Sequence, residues 1–149
     1  MQAKKTLRTD AGRLIELCAG ANSRLAARRI TQFFDRELAG IGLTLAQLGL
    51  MAQIAAASDD TLGALARRMG LEQSTLSRNL RTLEADGLVE IAGVEGDLRR
   101  RAVWLTDAGA RRLESALPLW REAQAKLEEF ALPDLARRFA EATEALAAD

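Results

Sequence analysis

The stretch Thr61–Thr106, TLGALARRMGLEQSTLSRNLRTLEADGLVEIAGVEGDLRRRAVWLT, changes its hydrophobic period once along its length, and that change decides the fold. In its first ten residues Leu62, Leu65, Ala66 and Met69 fall at i, i+3, i+4 and i+7, one apolar stripe of an α-helix. Thr61 suits the N-cap and Gly70 the stop. Only Leu71 to Gln73 separate this helix from a second, STLSRNLRTLEADG, with Leu76, Leu80 and Leu83 on one side. Two short helices joined by so tight a turn form a helix-turn-helix. After Gly87 the period drops from 3.6 to 2: LVEIA reads as a strand, GVEGD as a turn and LRRRAVWLT as a second strand. A lone hairpin is marginal in water, so it must pack on the helices before it.

Working outward, residues 10–39 carry Leu14, Leu17, Ala21, Leu25, Ile30, Phe33, Phe34 and Leu38 at helical spacing, and Gly40 and Gly42 end that helix. Thr44 caps a helix over Leu45–Ala57, and Ser58-Asp59-Asp60 reads as a loop. On the far side Thr106 caps a long helix bearing Leu113, Leu117, Trp120 and Leu127. The run Leu132-Pro133-Asp134 breaks it, and a last helix carries Leu135, Phe139, Ala142 and Leu146. The expected fold is mainly α with a small β-hairpin wing (α+β), in one domain spanning residues 1–149. A lobe over 44–106 lies between helical segments 10–39 and 107–149. The stripes on those segments are more than the lobe can cover, which predicts that they join two copies.

Composition excludes several function classes. Apolar residues make up 48% and charged residues 28% of 149, so the chain is neither disordered nor membrane-spanning. No run approaches the roughly 20 apolar residues that cross a bilayer. The N-terminus has no apolar signal core, which predicts a cytoplasmic protein. A single cysteine, Cys18, excludes an intramolecular disulfide. The absence of histidine removes Ser-His-Asp and Cys-His catalysis and, with one cysteine, leaves no zinc site. The remaining carboxylates are scattered along helical faces. The chain reads as a non-enzyme with neither metal nor cofactor.

Lysine and arginine balance aspartate and glutamate at 21 each, which by itself argues against nucleic acid. Distribution matters more. Residues 113–149 hold four basic and eight acidic side chains, so an acidic tail masks a chain that is basic elsewhere. On a wheel of the second motif helix, Ser74, Arg78 and Arg81 lie opposite the leucines, flanked by Thr75, Ser77 and Thr82, with no acid among them. Arginine can bond guanine at two acceptors, and short hydroxyls serve bases or phosphates. On one helix this is equally an ordinary solvated face. Consecutive Arg99, Arg100 and Arg101 in the hairpin, behind Asp97, add a basic tip suited to phosphates or a narrow minor groove.

The chain resembles the MarR family of bacterial regulators in the strings ARRITQFFDREL, GLTLAQLGLM, TLGALARRMGLEQSTLSRNLRTLEADGLVE and GDLRRRAVWLTDAG. The last is similar to the family's wing signature, here Asp97, Arg99, Leu105 and Thr106. The resemblance implies a winged helix-turn-helix regulator with N- and C-terminal dimerisation helices. It would bind double-stranded DNA as a homodimer on a pseudo-palindromic operator, most often as a repressor. By the same resemblance Arg99 enters the minor groove with Asp97 orienting it. Arg100 or Arg101 would hold phosphate, and Ser74, Thr75, Ser77 and Arg78 would lie in the major groove.

The family often responds to small phenolic or aromatic acids bound between the dimerisation helices and the lobe. Trp120, Phe33, Phe34, Met51 and Arg13 are of the type that lines such a pocket, and each is also ordinary packing material. One branch senses oxidants through an N-terminal cysteine. Aligned on ARRIT, that branch's reactive position falls on Gly20 rather than Cys18, and its tyrosines are missing here. Cys18 is therefore expected to be a packed thiol inside the first helix. Two alternatives stand beside the repressor: an oxidative-stress regulator using Cys18, and a winged-helix protein-interaction module that binds no DNA.

Overall fold

The computed structural model describes residues 2–57 and 61–147. Within these, the side chains of Gln2, Ala3, Val94, Asp97, Leu98 and Arg99 are not described, and the expected loop Ser58-Asp59-Asp60 lies outside the described residues. The elements in chain order are α1 (Gln2–Leu17), α2 (Ala19–Leu38), a 3-10 turn (Ala39–Ile41), α3 (Leu45–Ala56), α4 (Leu62–Met69) and α5 (Gln73–Ala85). There follow β1 (Val89–Val94), β2 (Asp97–Leu105), α6 (Asp107–Glu128), α7 (Leu132–Ala142) and a final 3-10 turn (Glu144–Leu146). Among the described residues no single helix is long and apolar enough to cross a membrane.

The caps read from the sequence are present. Thr44 and Gln47 form a reciprocal capping box on α3, and the Asp35 carboxylate of α2 accepts from the Leu45 N–H at 2.7 Å. Thr61 Oγ1 accepts from the Ala64 N–H at 3.3 Å, and Gly70 closes α4 in the left-handed region at φ 62°.

One expectation fails. The single helix over residues 10–39 is two helices, and the first begins at Gln2. The break is at Cys18, whose ψ of 113° is extended. Gly20 lies two residues beyond it and the Asn22 amide donates to Glu16 O across it at 2.9 Å, local features that the continuous apolar spacing outweighed in the reading of one helix. Cys18 is thus a half-buried N-cap residue of α2 and not a thiol inside a helix.

Leu38, Met51, Leu80, Leu83, Ala116 and Ala123 are fully buried and define the centre of the core. On α6, Gly109, Ala116, Ala123 and Leu127 share its buried stripe, and the small residues let α6 lie close to α2 and α3. Phe34 and Met51, considered above as pocket-lining residues, belong to this core. Phe33 and Trp120 pack partly buried against it, while Arg13 is exposed on α1.

The hairpin is antiparallel, with Val89 opposite Leu105 and Ile91 opposite Val103. Val89 and Val103 turn inward, while Trp104 points out and its indole N–H donates to Glu90 at 3.0 Å. Register shifts near the tip: Gly93 faces Arg101, yet Val94 faces Asp97, so residues 98–100 lie in a bulge. A bridge between Thr61 and Ala102 ties the base of the hairpin to the start of α4.

Candidate nucleic-acid interface

Helix α5 is positioned from both ends. At its start, Gly70 turns the chain and the Leu71 N–H donates to Ala66 O at 3.0 Å, fixing the angle between α4 and α5. At its end, the Thr106 hydroxyl donates to Gly87 O at 2.6 Å and accepts from the Gly109 N–H at 3.0 Å, while the Thr106 N–H donates to Leu88 O at 3.1 Å. Gly109 sits so close to this turn that a Cβ on it would stand 1.9 Å from Leu88 O. One threonine therefore joins the exit of α5, the exit of the hairpin and the first turn of α6.

With Leu76, Leu80 and Leu83 buried, α5 turns its polar side outward. Ser74, Arg78 and Arg81 are exposed, and Thr75 and Ser77 are half-buried at the flanks. Two of them lie on the side of the helix that faces the wing. Ser77 and Arg81 border a crevice of about 510 Å³ shared with Arg67 of α4 and Arg100 and Arg101 of β2. On the other side Asn79 and Thr82 meet Thr44 and Gln47 at the start of α3. Arg81, expected beside Arg78, thus faces the wing.

Arg100 and Arg101 are exposed and reach the same crevice as α5. Asp97 and Arg99 lie on β2 as expected, but their side chains are outside the described residues. Sequence reasoning missed Arg67 and Gln73, which line the crevice near the start of α5. The only hint was the pair Arg67-Arg68 in the last turn of α4, a usual place for basic residues near a helix C-terminus. Among the described residues no cluster of His, Cys, Asp or Glu could hold a metal ion.

Known proteins share this fold. The MarR family model matches residues 41–100. The DNA complex of the Mycobacterium tuberculosis transcriptional regulator MosR is 36% identical, covers 85% of this chain and 98% of its own, and superposes with a TM-score of 0.72. The chain belongs to the MarR family. This MarR-family protein is a DNA-binding transcription regulator with the winged-helix fold, and not an enzyme. A second MosR structure is 34% identical, covers 89% and 97% of the two chains, and gives a TM-score of 0.76. A transcriptional repressor, CouR, solved on a 23-mer DNA duplex, is 25% identical, covers 92% of this chain and 96% of its own, and also gives 0.76. No curated protein matches the chain.

Proposed function

We propose that this MarR-family chain acts as a homodimeric repressor on a pseudo-palindromic operator and is released by a small aromatic or phenolic ligand. Residues 44–106 are then the DNA-binding lobe, and the segments 10–39 and 107–149 are the dimerising parts. The observation that carries this reading is the outward polar face of α5 bearing Ser74, Thr75, Ser77 and Arg78, with Ser77 bordering the same crevice as Arg100 and Arg101 of the wing. That face suits the major groove, with Arg78 able to bond a guanine at two acceptors. Arg99, with Asp97 to orient it, completes the set in the minor groove.

The dimer is supported by large apolar residues left in solvent on the terminal elements, among them Leu14, Leu17, Leu135 and Phe139. Two copies related by a two-fold axis would present two α5 helices about 34 Å apart. Repression is supported by one similar protein described as a transcriptional repressor and solved on a DNA duplex, and a small aromatic ligand by the CouR of Rhodococcus jostii, solved with p-coumaroyl-CoA.

Selection of bound sequences from random DNA tests the core of this reading. It should return two inverted half-sites about one helical turn apart; a single asymmetric site would overturn the dimeric mode. On the selected duplex Arg78→Ala should cost about 1–3 kcal/mol and relax preference at one position. An equal loss on random DNA would make Arg78 a phosphate contact instead.

A further inference from the structure

Among the described residues, the crevice between α4, α5 and β2 is lined by four arginines, Arg67, Arg81, Arg100 and Arg101, and one carboxylate, Glu84. All four arginines are exposed, and among the described residues no ion pair engages any of them. Four guanidinium groups around one open space repel each other, and an anion there relieves that repulsion. Glu84 does not spoil the far end. It is eleven residues along α5 from Gln73, or about 16 Å at the helical rise.

The floor at the Gln73 end is Gly63. Glycine is the poorest helix former after proline, and this one has no positive φ that would require it. A Cβ at this position would meet Arg67 Nη1 at 3.5 Å and Gln73 Nε2 at 3.7 Å. Two nitrogen donors from different helices therefore converge over bare backbone. Arginine offers a planar fork of N–H groups and the glutamine amide two more, a donor set that matches a phosphate's oxygens.

We propose that Gly63, Arg67 and Gln73 form a seat for one backbone phosphate of the DNA, flanking the groove that α5 enters. Arg67 is then a DNA contact on the first helix of the motif, outside both the recognition helix and the wing. Arg81, Arg100 and Arg101 supply the surrounding positive field. This inference rests on the DNA-binding reading of the interface.

The test is the salt dependence of binding to a random-sequence duplex and to the selected operator. Each neutralised phosphate contributes about 0.9 to the slope of log affinity against log salt. Arg67→Ala should flatten the slope by about that amount on both duplexes and leave their affinity ratio unchanged. Arg67→Lys should keep the slope, because the charge remains. Arg68→Ala, next along the chain but not lining the crevice, should also keep it. A merely structural Arg67 would shift melting without moving the slope. An unchanged slope in Arg67→Ala, with a steep wild type that Arg101→Ala flattens, overturns the seat and leaves the DNA reading standing. Equal flattening by Arg68→Ala overturns it as well, since charge loss anywhere on α4 would then suffice. A flat wild type overturns the DNA-binding interface itself, and the seat with it.

Discussion

Between Thr44 and Thr106 most of the large apolar side chains are shut away, Trp104 excepted, with Leu50, Met51, Leu65, Leu76, Leu80 and Leu83 all at 1% exposure or less. In the terminal elements the same residue types stand in solvent: Leu14 is 65% exposed, Leu17 73%, Leu135 61% and Leu146 84%. The lobe closes its core within one chain because α3, α4, α5 and the hairpin each turn one face to a common centre. Helices α1 and α7 have equally regular stripes but little of their own chain to lay them on. Burial of an apolar side chain stabilises by about 1.5–3 kcal/mol. Leaving so many exposed makes sense only if something covers them, and a second copy of the same stripe is complementary by symmetry.

Three substitutions would break or sharpen that contrast. The largest effect belongs to the lobe: Leu80→Ala, at a site with no exposed surface, should lose roughly 2–5 kcal/mol in urea unfolding. A loss below 1 kcal/mol would show that the lobe core is not tightly closed. Next comes the junction. Gly109→Ala must push Leu88 away, and overpacking of this kind costs typically 1–3 kcal/mol. It should also weaken DNA binding, because Leu88 lies at the end of α5. Full stability and full affinity together would mean that the turn after α5 is not fixed by α6. The smallest effect on folding, and a distinct one, is expected from Phe139→Asp on α7. There the loss should appear in sedimentation as at least a tenfold weaker dimer, while the lobe stays folded. A dimer of unchanged strength would place the covering surface elsewhere.

Sequence legibility followed the range of the interactions. The motif helices, hairpin and caps at Thr44, Thr61 and Thr106 depend on residues within a few positions, so period and composition revealed them. At Cys18 the apolar spacing runs on through the break and outweighs the nearby Gly20 and Asn22, and the expected single helix proved to be two. The exposed polar face of α5 was legible, and the crevice beside it was not. Ser74, Thr75, Ser77 and Arg78 follow from a helical wheel, which sees one helix at a time. Arg67 and Gln73 line the crevice because of the angle between α4 and α5, which no wheel contains.

By itself, then, the sequence determined what local physics can determine: a helix, a tight turn, a polar-faced helix and a basic hairpin, in that order. Tertiary structure decided which of those charges meet. It placed Arg81 on the side of α5 toward the wing, and it brought Arg67, Arg100 and Arg101 to the same crevice. It also joined Thr61 to Ala102 and Thr106 to Gly87, pairs that are 41 and 19 positions apart. The physical reason is reach: side-chain period reports which face is apolar, while the meeting of two faces is fixed only when the core between them closes.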